Sequence, residues 1–254
     1  MILTKEQAIW LHRSIGQGPI DKAQVIIFGN EFGSARGHGN TEKCIEGFIN
    51  EFKTRSLLKI GNGFNVLDID SPPVSSTFLQ FISRLLLALK YKDERFFDSL
   101  TTEGWSYINN YIMNSLYREN SAIINLKPLP QPTENHWDYE NINEANYKSL
   151  YNFKSRYSGH NKFREFRLKI LKEAFDMGRN ALILSAGDKY NKKAFFEEIY
   201  PDIKFSQIVL NDIVEIYFSQ SPKIILSNYY DNRSGIKLSG LKEIYNFILN
   251  NNLY

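Results

Sequence analysis

Cysteine is almost missing from this 254-residue chain, in which Cys44 stands alone. A single thiol excludes an internal disulfide and any cysteine-built zinc cluster. It falls in Thr41-Glu-Lys-Cys-Ile-Glu-Gly-Phe-Ile-Asn50, an amphipathic helical pattern, so a buried core thiol is expected rather than a nucleophile. Long apolar runs are missing too. No stretch approaches the roughly 20 residues of a membrane span. The N-terminus lacks the apolar core of a secretory signal, so a cytoplasmic protein with no membrane partner is expected. There is no Walker-type glycine loop and no spaced set of metal ligands, and neither a cofactor nor a metal is expected. Internal repeats and low-complexity tracts are also absent. Charge of one sign is scarce: 31 basic against 28 acidic residues leave a net charge of +3. That permits a polyanionic partner but does not require one.

Aromatic residues are plentiful, with 18 Phe, 15 Tyr and 3 Trp, and most are expected in the core. Thr4-Lys-Glu-Gln7 is a capping box that opens a helix reaching about Ile15. Short apolar strands are predicted at 24–28, 64–69, 121–126, 181–185, 206–210 or 213–218, and 223–227. Amphipathic helices are predicted near 41–52, 75–90, 102–117, 162–177, 190–199 and 239–250. This alternation points to an α/β sandwich with a largely parallel central sheet. Residues 127–161 form the least regular stretch, and the pattern resumes unchanged after it, so a single domain over 1–254 is expected.

Five segments carry the chemistry. Gln24-Val-Ile-Ile-Phe28 runs into Gly29-Asn30-Glu31-Phe32-Gly33, a strand that delivers polar groups onto a glycine-bounded turn. Such strand ends are where open α/β sheets bind ligands. Pro72-Pro73-Val74-Ser75-Ser76 is a rigid turn feeding a helix start, whose backbone N–H groups can hold a phosphate. Ser121-Ala-Ile-Ile-Asn125 ends a strand in an amide able both to donate and to accept. Lys223-Ile-Ile-Leu-Ser-Asn228-Tyr229-Tyr230-Asp-Asn-Arg233 does the same before a polar aromatic loop, and Ala181-Leu-Ile-Leu-Ser-Ala186-Gly187 adds a strand-to-glycine turn.

In order and spacing these segments resemble the uracil-DNA glycosylase superfamily, over about residues 23–250. In its branches the first strand ends in GQDPY, GEAPG, GINPG or GMNPG, a PPSL-type turn follows, then a strand ending in Asn, a W-G turn, and an HPSPL or NPS loop. The chain departs at two points: Phe32 stands where proline follows the acid, and Tyr229-Tyr230 replaces Pro-Ser after Asn228. The resemblance implies a three-layer α/β/α sandwich and a monomeric DNA glycosylase that flips out and excises a base. Glu31 falls on the water-activating carboxylate, with Asn30 as the alternate, and Asn228 on the donor to the leaving base. Asn125 falls on the base reader, with Phe32 or Phe64 as the stacking aromatic. Ser34, Arg36, Ser75, Ser76 and Gly187 would contact the DNA backbone. Tyr229, Tyr230 and Arg233 would fill the flipped base's gap or grip phosphates.

Gly33 stands where the uracil-selective branch carries a tyrosine against C5 of the base. Its missing side chain implies a bulky 5-substituted cytosine, such as the glucosylated 5-hydroxymethylcytosine of phage DNA, and a role in antiviral defence. The competing expectations are housekeeping removal of uracil or a damaged base, a non-catalytic DNA-binding member of the fold, and an α/β enzyme acting on nucleotides or phosphoesters.

Overall fold

The computed structural model describes residues 2–30, 41–68, 74, 76–130, 137, 139–155, 160–228 and 236–254, without the side chains of 41, 42, 44 and 186. In chain order the elements are α1 (Lys5–Arg13), β1 (Ser14–Gln17), β2 (Val25–Gly29), α2 (Thr41–Thr54), β3 (Leu57–Ile60), β4 (Gly63–Val66), α3 (Thr77–Tyr91) and α4 (Thr102–Asn114). There follow β5 (Ser121–Asn125), α5 (Glu144–Leu150), α6 (Lys162–Met177), β6 (Leu182–Ala186), α7 (Lys189–Ile199), β7 (Ser206–Leu210), β8 (Val214–Gln220), β9 (Lys223–Ser227) and α8 (Leu238–Asn250). Cys44 lies on α2, but its side chain is outside the described set.

The strands form one sheet in the order β3-β4-β1-β5-β2-β6-β9-β8-β7. Its centre, β5-β2-β6-β9, is parallel throughout, and the flanks are not: β1 runs against β5, β3 against β4, β8 against β9 and β7 against β8. The sheet is therefore mixed, with a parallel core, rather than largely parallel. Two of the strands have weak local signals. The capping box of α1 is present, with Thr4 Oγ1 and the Gln7 side chain exchanging bonds with each other's backbone, but the helix stops at Arg13, short of Ile15. Ser14–Gln17 instead pairs with β4 and β5. The β3–β4 hairpin turns on Gly61-Asn62, with Gly61 at φ +55°; that is a hairpin dipeptide the strand pattern alone did not raise. Both 206–210 and 213–218, first read as alternatives, hold strands.

Helices cover both faces of the sheet. On one face Ile26, Phe28, Ile124 and Ile183 pack with residues of α1, α2, α6 and α7. Phe28, the penultimate residue of β2, is held by the rings of Phe175, Phe195 and Phe196 at centroid distances of 5.1, 5.2 and 5.4 Å. Each such pair adds about 0.5–1.5 kcal/mol to the burial itself. On the other face Val25, Ile27, Leu184 and Ile225 pack with α3, α4 and α8. The irregular 127–161 stretch is partly ordered by a tyrosine and tryptophan cluster: Trp137 lies 5.0 Å from Tyr139 and 5.1 Å from Tyr147, and α5 emerges from within it.

Among the central strands the chain visits β2 first, β5 on one side of it, then β6 on the other side, then β9. The connections after β2 and β6 thus diverge, which opens a crevice at their carboxyl ends. The direction of α3 adds to this. Leu86 and Lys90 in its second half share a small cavity with Val25 and Ser121, the first residues of β2 and β5. Its first turn therefore lies toward the carboxyl ends, and its dipole places positive potential there.

Candidate functional site

At the crevice β2 ends in Gly29 beside Asn125 of β5, the two residues in register. The ladder continues past both strands, with Leu126 N donating to Gly29 O at 3.1 Å and Lys127 N to Asn30 O at 2.6 Å. The Asn125 side chain lies on the α3 side of the sheet and is 2% exposed. Its Oδ1 has no hydrogen-bond partner among the described residues. A Cβ on Gly29 would come within 2.6 Å of that oxygen. Glycine at 29 thus makes the room in which the Asn125 amide lies. Leaving a buried amide oxygen unpaired costs about 1–3 kcal/mol.

Two buried cations support the crevice from beneath, and the sequence reading missed both. Arg167 of α6 is fully buried; its guanidinium donates to the carbonyls of Leu126 (3.0 Å), His12 (3.3 Å), Ser14 and Asn125. Burial lowers its pKa to about 10, so it stays charged at neutral pH. Lys192 of α7 is fully buried and donates to the Phe28 carbonyl at 2.6 Å, one residue before Gly29. These two side chains hold the last carbonyl of β5 and the penultimate carbonyl of β2, and the Arg167 guanidinium adds positive potential under the site. A signal for them does exist. Arg164, Arg167, Ile170, Leu171 and Ala174 form the buried stripe of α6, and Lys192, Phe195, Phe196 and Ile199 that of α7. A basic residue on an apolar stripe is rarely solvated.

At the third strand end, Gly187 at φ +81° and Asp188 at φ 33° turn β6 into α7. The positive φ explains the glycine. Asp188 caps α7 by accepting from Asn191 N at 3.2 Å and is paired with Lys154 at 3.3 Å, so it serves as a cap. At the fourth end Asn228 is exposed and borders a cavity of about 280 Å³ with Glu215, Lys237 and Ser239. Asn125 and Asn228 end strands three places apart, about 14 Å across the sheet, a gap that a six-membered base and its hydrogen bonds can bridge. Ser76 caps α3, its Oγ accepting from Leu79 N at 3.4 Å, while the preceding Val74 carbonyl accepts from Gln80 Nε2 at 2.8 Å. The Thr77 and Phe78 N–H groups, in the first turn, point out of the helix end.

Asn30, Asn125, Gly187 and Asn228 are thus brought to one end of the sheet, with the capped start of α3 directed toward it. Phe64 is not brought there. It is 3% exposed in the core, 5.5 Å from Trp10 and 5.4 Å from Phe52, on the opposite face. Because β4 runs parallel to β1 and β1 against β5, the strand carrying Phe64 points away from the crevice. Its expected stacking role is therefore corrected to packing. Glu31, Phe32, Gly33, Ser34, Arg36, Ser75, Tyr229, Tyr230 and Arg233 lie outside the described residues.

Among the described residues no group of three His, Cys, Asp or Glu could hold a metal, and no helix is long and apolar enough to cross a membrane. Comparison with family models, with curated proteins and with solved structures gives no match.

Proposed function

We propose that this chain is a DNA glycosylase that flips out and excises a modified base, with a bulky 5-substituted cytosine as its preferred target. The observation that carries the reading is the Asn125 amide: buried, its Oδ1 without a partner among the described residues, and set against Gly29 at the carboxyl ends of β2 and β5. An amide donates and accepts at once, which matches the edge of a pyrimidine. Uracil and cytosine differ in which of their edge atoms donate, and a carboxamide can serve either by turning over.

The chemistry needs a negative group at the sugar and donors at the base. As the bond from C1′ to the base breaks, its electron pair leaves with the base and C1′ becomes cation-like. Glu31, two residues beyond Gly29, stabilises that cation and takes a proton from the water that adds to C1′. Asn228 donates to the departing anionic base. The first turn of α3, with Ser76 at its cap, holds a flanking phosphate, and the ammonium of Lys192 favours negative charge above it. The products are the free base and an abasic site.

The test uses duplexes carrying uracil, 5-hydroxymethylcytosine or glucosylated 5-hydroxymethylcytosine, followed by alkaline cleavage of abasic sites. Excision should be seen, and Glu31→Gln should lower its rate by orders of magnitude with DNA binding kept. Asn125→Ala should abolish it in a protein that still folds, as checked by its melting transition. No strand breaks on any of these DNAs, with tight binding to all, would instead indicate a non-catalytic DNA-binding protein.

A further inference from the structure

A second concavity lies on the other face of the sheet. It is a groove of about 800 Å³ between α1, α5 and the start of α6, a size suited to a small ligand. Asn143 and Asn161 on its wall spend their side-chain oxygens on capping: Asn143 Oδ1 accepts from Asn146 N at 2.9 Å, and Asn161 Oδ1 from Phe163 N at 3.0 Å and Arg164 N at 3.2 Å. What each amide has left is its NH₂ group, a pure donor without a partner among the described residues. His12 contributes the opposite. Its Nδ1 donates to Ala8 O at 2.8 Å, which leaves Nε2 with a lone pair and no partner among the described residues. Burial holds the imidazole neutral, its pKa lowered to about 4, so at neutral pH that nitrogen is an acceptor.

The walls are aromatic and apolar. Phe163 is 58% exposed with its ring 5.0 Å from that of His12. Its exposed ring is placed to stack on a flat ligand in the groove. Tyr147 and Leu129 line the inner side. The groove therefore joins an apolar, aromatic surface to the Asn143 and Asn161 donors and the His12 acceptor, with Lys5, Asn146 and Ser149 also on its lining and no acidic side chain there.

We propose that this groove binds a nucleobase, stacked on Phe163 and hydrogen-bonded to Asn143, Asn161 and His12. A base is flat and apolar on its faces and carries both donors and acceptors on its edge, which is the complement of this lining. A sugar presents hydroxyls all round and would leave them against Leu129 and Phe163 unpaired. The base can belong to a free nucleoside or to an unstacked nucleotide of single-stranded DNA. The proposal stands whether or not the chain is a glycosylase.

The experiment is calorimetric titration of the full chain with adenosine, cytidine, thymidine and an eight-residue single-stranded oligothymidylate, with glucose as a control. Saturable binding is expected for a nucleoside or for the oligonucleotide; nucleoside binding identifies a free ligand, and binding of the oligonucleotide alone identifies a strand. Phe163→Ala should weaken binding tenfold or more. Asn161→Asp keeps a good helix cap but turns the donor into an acceptor, so it should weaken binding at least as much at an unchanged melting temperature. Asn143→Asp repeats that logic should Asn161→Asp melt early. Absence of saturable binding to any base, affinity unchanged in these variants, or glucose binding as well as the nucleosides overturns the proposal.

Discussion

Gly29→Ala separates the function of the crevice from its stability. Gly29 has no positive φ, so alanine fits the backbone, and such replacements gain about 0.4–1 kcal/mol by restricting the unfolded chain. The new Cβ would meet Asn125 Oδ1 at 2.6 Å, whereas ordinary contact begins near 3.4 Å, so the amide must retreat by about 0.8 Å. The atom that yields is a side-chain oxygen with no hydrogen bond among the described residues, and net stability should change by less than about 1 kcal/mol. Catalysis is less forgiving: a misplacement of about 1 Å can cost 10²-fold, about 2.7 kcal/mol in the barrier. The assay is single-turnover base excision alongside urea denaturation, for Gly29→Ala, Asn125→Ala and the double variant. If Gly29 acts through Asn125 alone, the alanine at 29 costs nothing further once the amide is gone. Excision by Gly29→Ala at the wild-type rate would refute the assignment of Asn125 as base reader, and a further large loss in the double variant would refute the path through it.

Arg167→Met leaves the carbonyls of His12, Ser14, Asn125 and Leu126 without their donor, and urea denaturation should show a loss of about 3–5 kcal/mol; a loss under about 1 kcal/mol would mean that water replaces the guanidinium. His12 has its folded pKa lowered from 6.5 to about 4, chiefly by burial and further by the nearby Arg167 charge. Between these values the unfolded chain binds a proton that the folded chain refuses. Stability from this source is therefore complete above pH 6.5 and falls as pH drops toward 4, by at most about 3 kcal/mol. Denaturation midpoints at pH 7.5 and 4.5 should draw together in His12→Gln, and an equal spread in both proteins would count against a neutral buried imidazole. Gly33→Tyr should suppress excision of glucosylated 5-hydroxymethylcytosine more than that of uracil, as measured on the two DNAs in parallel; efficient excision of plain uracil by the wild type with none of either bulky base would reverse the substrate assignment.

What was legible in the chain and what was not divides by the range of the forces involved. The place of Asn125 at a strand end could be read because both its signals are local: an apolar run that must be a strand, and the amide that ends it. The same holds for the capping box of α1 and the glycine turn at 187. Phe64 was misplaced because its local signals were equally good, an aromatic on a strand just before the Pro-Pro turn. Which way β4 runs depends on β1, a four-residue strand with a single large apolar side chain, Ile15, and on pairings made far along the sequence. Nothing near Phe64 encodes that direction.

Arg167 and Lys192 illustrate a different gap. Their stripes were read as amphipathic helix, and the default for a basic residue in such a pattern is solvent. The cost of burying each charge is met by carbonyls at the ends of β5 and β2, strands 40 residues or more away in sequence. Buried carbonyls need donors, and at these strand ends the two side chains supply them. The two side chains in turn fix the backbone on which Gly29 and Asn125 are mounted. A basic residue at core spacing on a helix that packs against a parallel sheet is thus itself a pointer to the sheet's working end. In this chain Arg167 and Lys192 point to the same end as Asn125.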